Sequence, residues 1–486
     1  MTPAQSKFIK ALQTFLPADS LLTDEESLHP YECDGLSAYK QLPLAVALPG
    51  NQEEIISIIK ICQEFKIPVT TRGAGTGLSG GALPLENGLL LNLARLNKIL
   101  NINPDDRTAR VQPGVRNLAI SEAVSGHGLY YAPDPSSQIA CSIGGNVAEN
   151  AGGVHSLKYG LTVHNILKLE IITAEGEPMT IGSQALDSPG YDLLALMTGS
   201  EGLLGIITEV TVKLLPKPEK IQVLLVAFDD VVNAGKAVSE IISAGIIPAG
   251  LELMDSLAIK AAEDFIHAGY PVDATAILLC EVDGNSLEVS DHTKKIHELC
   301  LQCGATEIRI AADEKEQKKL WAGRKAAFPA VGRLAPDYYC MDGTIPRHCL
   351  PEVLKRISEM SQEYDLPVAN VFHAGDGNLH PLILYDANIT GQLEKTEQFG
   401  GRILELCVEV GGAITGEHGV GIEKIDQMCV QFQSLELSQF HAIKDACDEQ
   451  GLLNPGKAVP TLHRCAELGA MHVHDGKLPH PELERF

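Results

Sequence analysis

Four loop-like blocks, three of them rich in glycine, crowd into residues 72–205, and they limit the possible folds more than any other feature of the chain. The first, Arg72-Gly-Ala-Gly-Thr-Gly-Leu-Ser-Gly80, leaves a strand-like stretch at residues 67–71. A βαβ dinucleotide site needs such a loop to open into a helix, with an acidic residue about twenty positions later. Here the loop runs through Gly81 and Pro84 to another strand-like run at residues 88–93. Successive glycines can still turn backbone N–H groups inward as an anion nest. The second block, Pro133-Asp-Pro-Ser-Ser137, fixes its backbone through prolines and offers two hydroxyls. The third, Gly144-Gly-Asn-Val-Ala-Glu-Asn-Ala-Gly-Gly153, permits close approach of a large planar ligand. Thr198-Gly-Ser-Glu-Gly202 is the fourth. One such block is an ordinary surface turn. Four describe a half-chain rich in backbone donors and poor in side-chain bulk, which suits an extended dinucleotide.

A chain of 486 residues exceeds what one hydrophobic core sustains, so several domains are expected. Asn51, with Glu54 three residues on and the periodic Ile55, Ile58, Ile59 and Cys62, predicts a capped helix. Residues 166–173 and 205–215 read as strands. Pro216-Lys-Pro218 marks a boundary, after which strand and helix patterns alternate (223–228, 231–243, 276–282, 287–303, 307–311). These predict an α+β second domain, an antiparallel sheet with helices on one face. The expected division is 1–218, 219–424 and a helical segment 425–486 that returns to the first domain.

The formal charge of −25 argues against nucleic acid or an anionic membrane as a direct partner. No apolar run is long enough to span a bilayer, and the first residues carry no signal-peptide pattern. A cytoplasmic protein is expected, peripheral at the inner membrane only through partner subunits. Its twelve cysteines should then be thiols. Cys300-x-x-Cys303 has no second pair nearby and reads as two buried helix-end cysteines rather than a metal or iron–sulfur site.

The most specific chemistry lies at Val371-Phe-His-Ala-Gly-Asp-Gly-Asn-Leu-His380. Apolar residues flank a Gly-Asp-Gly turn, so two strands should bring His373 and His380 together. Gly411-Gly-Ala-Ile-Thr-Gly-Glu-His-Gly419 adds Glu417 and His418. Two imidazoles and a carboxylate leave a position open on a divalent metal, zinc by default, with manganese or iron(II) as alternatives. Satisfied histidines in unrelated loops would explain either block alone. Both blocks beside a dinucleotide domain favour the metal.

Arg72-Gly-x-Gly-Thr, Pro133-Asp-Pro, Gly144-Gly-Asn and Thr198-Gly-Ser-Glu-Gly-x-x-Gly-Ile-Ile-Thr208 resemble the FAD domain of the vanillyl-alcohol oxidase (PCMH-type) superfamily. The resemblance implies FAD held between two α+β subdomains under a cap. Residues 72–81 contain no histidine, so the FAD should be non-covalent. It assigns cofactor contacts to Arg72, Gly73, Ala74, Gly75, Thr76, Gly77 and Gly80; to Pro133, Asp134 and Ser137; and to Gly144, Gly145, Asn146, Asn150 and Gly153. Glu201, Gly202, Gly205, Ile206, Ile207 and Asn454 complete the set.

His373-x-x-Gly-Asp-Gly-Asn-x-His380 and Gly416-Glu-His-Gly-x-Gly421 resemble the signature of FAD-linked D-2-hydroxy acid dehydrogenases. That likeness implies a metal on His373, His380 and Glu417, His418 as base, Asn378 touching substrate, and Arg324 of Trp321-x-x-Arg324 clamping its carboxylate. Residues 338–347, Leu462-His-Arg-Cys-Ala-Glu and the ending Pro481-Glu-Leu-Glu-Arg-Phe486 look closest to glycolate-oxidising members. The implied reaction takes glycolate to glyoxylate by hydride transfer to FAD N5, with D-lactate to pyruvate as the alternative. Companion flavin-like and iron–sulfur subunits and a quinone-linked acceptor come with that likeness. The blander readings are a non-catalytic flavin-binding subunit, an exposed Arg324, and a polar tail at Met471-His-Val-His474.

Overall fold

The computed structural model describes residues 1–185 and 189–461. The tail motifs at 462–467, 471–474 and 481–486 lie outside the described residues.

The first half contains two large sheets and a two-stranded one that pairs Leu129–Tyr130 with Leu215–Pro216. Strands Leu21–Leu22, Ala45–Ala47, Leu89–Asn92 and Val69–Arg72 lie side by side in that order, and the last three run parallel. Helices Pro3–Gln13 and Gln52–Phe65 cover this sheet through Phe8, Leu12, Ile55, Ile58, Ile59 and Cys62. Asn51 caps the second helix by accepting from Glu54 N. The other large sheet is antiparallel throughout, in the order Ile99–Asn103, Thr108–Val111, Ile206–Lys213, Ile166–Ile172, Pro178–Gly182.

The second half is built on seven antiparallel strands. Their order is Glu307–Ile310, Lys220–Phe228, Ala276–Gly284, Gly250–Asp255, Val368–Phe372, Pro381–Tyr385 and Asp337–Cys340. Helices cover both faces, not the single face expected from sequence. Along Lys220–Phe228, Leu224, Val226 and Phe228 join one core with helices Val231–Ser243, Ser286–Gln302 and Leu350–Glu363. Val223, Leu225 and Ala227 join a second core with helices Ser256–Ile266, Glu314–Lys325 and Ala327–Val331. A strand buried on both sides reads as an unbroken apolar run, which is how residues 223–228 read. Each such side chain contributes about 1.5–3 kcal/mol of burial.

After helix Ser434–Cys447 the chain returns to the first sheet, where Leu453 bridges Val69. No helix among the described residues is long and apolar enough to cross a membrane. Cys300 and Cys303 are buried free thiols at a helix end. Cys429 departs from the all-thiol expectation, being disulfide-bonded.

A candidate active site between the two halves

A cavity of about 460 Å³ runs between the halves. Its walls are the 71–82 loop, residues 135–151 and 201–207 on one side, and Lys325, Phe328, Pro329, His380, Glu417 and His418 on the other. The backbone amides of Ala74, Gly75, Thr76, Gly77 and Leu78 donate to no acceptor among the described residues. A cavity-lining loop that spends none of these amides on the protein leaves them free for an anionic dinucleotide.

The third block is not a loop at its start. Ile143–Glu149 is a helix capped by Ser142, whose side chain accepts from Gly145 N at 3.4 Å. Buried Ile143 and Val147, four apart, define its inner face. Its glycines serve packing: a Cβ on Gly144 would sit 2.6 Å from Pro113 Cβ.

Of the residues expected to hold cofactor, Gly73, Ala74, Gly75, Thr76, Gly77, Ser137, Gly144, Gly145, Asn146, Glu201, Gly202, Gly205 and Ile207 line this cavity. Arg72, Gly80, Pro133, Asp134, Asn150, Gly153, Ile206 and Asn454 do not, and several of them brace the loops that do. Arg72 donates to Cys33 O at 2.6 Å, Pro133 O accepts from Asn117, and Asn150 Oδ1 accepts from Val163 N. Asp134 binds His155, and Asn454 Nδ2 ties Gly81 O to Glu201 O at 3.0 and 2.9 Å.

The predicted hairpin is present, with Val368–Phe372 and Pro381–Tyr385 joined through residues 373–380. His373 N donates to Asn378 O at 3.0 Å, and Gly377 takes φ +84° against the Ile345 carbonyl. Only glycine enters that left-handed conformation without strain. The turn brings His373 and His380 to a ring separation of 5.1 Å. Their Nε2 atoms lie 3.4 and 3.1 Å from one oxygen, Glu417 Oε1.

Both imidazoles are oriented from behind. His373 Nδ1 lies 2.9 Å from each oxygen of Glu252, and His380 Nδ1 lies 3.3 Å from Met341 O. A carboxylate and a carbonyl can only accept, so each Nδ1 carries a proton, which turns each Nε2 toward Glu417, the side from which a cation could be held. All three of these side chains are buried or nearly so. Burial opposes charge on Glu417, yet the two histidines hold it well below the usual carboxylate range. Burial likewise works against a His373 cation, and Glu252 and Glu417 outweigh it, raising its pKa well above the ordinary value. Arg324 pairs with Glu252, whereas Glu417 meets only the two imidazoles among the described ion pairs, so its buried charge makes this spot receptive to a divalent cation.

His418 stacks on His380, ring centroids 4.9 Å apart. Burial pushes it down to about 4, and its Nδ1 has no hydrogen-bond partner. Asn378 is 6% exposed, with Oδ1 also unpartnered. Arg324 is neither exposed nor on the cavity wall. It is 1% accessible, with Nη2 2.6 Å from Glu252 Oε2. That contact is close but poorly aligned, so Nε and Nη2 keep N–H groups without an acceptor. The neighbouring Lys325 reaches the wall itself and forms no ion pair among the described residues.

Sequence reasoning missed Glu252, a glutamate in the otherwise apolar strand Gly250–Asp255, and Asp342. The carboxylate Oδ2 of Asp342 accepts from Gly416 N and His418 N at 3.0 Å and pairs with Lys424 Nζ at 3.0 Å. Burial opposes its charge, but the Lys424 ammonium holds it well below the usual range. Asp342 thus fixes the turn carrying Glu417 and His418. From the other half Glu201 accepts from Val420 N and Gly421 N at 2.7 Å, seating the same turn on the glycine-lined wall.

Residues 43–182 match the FAD binding domain model and residues 217–458 match the model of FAD linked oxidases, C-terminal domain. The Escherichia coli (strain K12) glycolate oxidase subunit GlcD is 66% identical over 99% of this chain and 97% of its own length. A D-lactate dehydrogenase from Anaerostipes hadrus is 32% identical over 93% of this chain and 97% of its own. The solved structure of p-cresol methylhydroxylase with substrate bound overlays with a TM-score of 0.80 at 19% identity, covering 95% of this chain and 98% of that one, which establishes the shared fold. With glycine-rich loops open to a dinucleotide and both halves matched, the chain belongs to the FAD-linked oxidases and is an FAD-dependent oxidoreductase.

Proposed function

We propose that this enzyme oxidises glycolate to glyoxylate. The observation that carries the reading is the meeting of His373 Nε2 and His380 Nε2 on Glu417 Oε1, in the wall of the FAD cavity. His373, His380 and Glu417 would hold a divalent metal, with zinc the default for this donor set. Bound FAD supplies the acceptor for a hydride from C2, and the metal a Lewis acid for the substrate oxygens.

The chain's own groups do the rest. Lys325 on the cavity wall would attract the substrate carboxylate, with the positive charge of the buried Arg324 adding to it from behind that wall. His418 Nδ1, unpartnered in the cavity wall, would take the hydroxyl proton, and Asn378, buried beside the cluster, would contact the substrate. The C2–H bond leaves as hydride, the O–H bond as a proton on His418, and C2=O forms. Phe328 and Pro329 on the cap side and Gly144 and Gly145 opposite keep water from the reacting carbon.

Glycolate is favoured over D-lactate by the much greater identity to the glycolate oxidase subunit than to the D-lactate dehydrogenase, 66% against 32%. That relative is a subunit, which supports companion chains for this one; flavin-like and iron–sulfur partners passing electrons to a quinone are the form we propose for them. Anaerobic titration with glycolate, D-lactate and L-lactate, following the flavin absorbance near 450 nm (roughly, as for any oxidised flavin), tests the reading. Glycolate should bleach the flavin fastest. No bleaching by any of the three would refute the proposed activity.

A further inference from the structure

Accepting that reading, we infer that Phe328 sets the size of substrate by closing the space beside C2. Phe328 belongs to the short helix Ala327–Val331 and supplies the one phenylalanine ring in the cavity wall. Its centroid lies 6.2 Å from the His380 ring, at 66°. Behind it stands Tyr338, at 6.5 Å and 73°. Tyr338 is on strand Asp337–Cys340, which pairs with Pro381–Tyr385, the strand that begins immediately after His380. One sheet edge therefore carries both His380 and the ring packed against Phe328 on its other side. The helix of Phe328 is anchored on the opposite side by buried Ala327, Ala330 and Val331.

The substrate carbon has four substituents, and the site separates them by chemistry. The hydroxyl goes to the His380–Glu417–His418 side, and the carboxylate to the cations of Arg324 and Lys325. The transferred hydrogen must face the cofactor. What is left over would meet the apolar ring that packs against His380 in the cavity wall, Phe328. In glycolate that group is hydrogen and in lactate it is methyl, while anything longer runs into a ring backed by Tyr338.

The test compares Phe328→Ala with the wild-type holoenzyme on glycolate and on 2-hydroxybutyrate, as the ratio of the two kcat/KM values. Loss of the ring should shift that ratio toward 2-hydroxybutyrate by at least about tenfold. A second readout needs no turnover: 2-oxobutyrate should perturb the oxidised flavin spectrum at lower concentration in the variant, while glyoxylate should not. Phe328→Leu, which keeps an apolar side chain against Tyr338, should fall between the two and decides the matter if the alanine variant loses flavin. A ratio unchanged within about twofold with flavin retained, or loss of flavin in both variants, overturns the role of Phe328. A wild-type enzyme that no 2-hydroxy acid reduces would instead remove the underlying reaction.

Discussion

Glu252 holds His373 with both of its oxygens, each 2.9 Å from Nδ1, while Oε2 also lies 2.6 Å from Arg324 Nη2. The three side chains are between 1% and 3% exposed, so the interactions are little screened by water. Burial opposes the Glu252 charge, but His373 and Arg324 hold its carboxyl below the ordinary value. One carboxylate thus ties a metal-ligand candidate to the substrate-carboxylate candidate.

Replacing Glu252 by glutamine keeps the shape and removes the charge. The amide can still accept from His373 Nδ1, but the imidazole becomes a poorer donor to a cation. Metal affinity, read by titration with a competing chelator, should fall about 10–100-fold with the flavin spectrum unchanged. Unaltered affinity would leave Glu252 a structural ion pair and take the metal away from His373.

His418 is the only group in the cluster with an unpartnered ring nitrogen, and the Asp342–Lys424 pair fixes its backbone. His418→Ala removes the proton acceptor and leaves that support intact. Flavin reduction by glycolate, measured anaerobically in a stopped-flow instrument, should slow by at least about a hundredfold while FAD stays bound. A wild-type rate in this variant would pass the proton to another group.

How much of this was legible in the sequence depended on what kind of signal each residue leaves. The His373–His380 hairpin was legible because Gly-Asp-Gly can form little besides a tight turn, and the turn then dictates convergence. The open amides of residues 74–78 followed from glycine spacing alone. The helix Ile143–Glu149 was hidden, because Gly144 and Gly145 lower helix propensity and only the packing against Pro113 explains them. Arg324 looked like a surface residue on a charged helix, since sequence period does not reveal that strand Gly250–Asp255 carries a glutamate beneath it. The partners that orient the two histidines, Glu252 in strand Gly250–Asp255 and Met341 O just past strand Asp337–Cys340, lie 121 and 39 positions away from them. Pairings at that range are set by the seven-strand order, which no local pattern encodes.

His155 joins the two halves through charge, and that joint should respond to pH. Its Nδ1 lies 2.9 Å from Asp134 Oδ2 in the first half, and its Nε2 3.0 Å from Glu281 Oε1 in the second, where Trp321 Nε1 also donates to Glu281 at 2.5 Å. Beside it Lys158 pairs with Asp283, and Tyr159 donates to the same carboxylate at 2.5 Å. Burial alone would depress the His155 pKa, but Asp134 and Glu281 outweigh it and raise the value well above the ordinary one. A raised folded-state pKa stabilises fully below the unfolded value of about 6.5, and that stabilisation is lost as pH climbs through the folded value. The imidazole is 25% exposed, so solvent screens part of the effect. His155→Gln can keep one hydrogen bond but not the charge. Its melting temperature should therefore fall furthest below wild type near pH 6 and approach it on the alkaline side, and a gap that stays constant or widens with pH would mean that His155 is neutral in the folded enzyme.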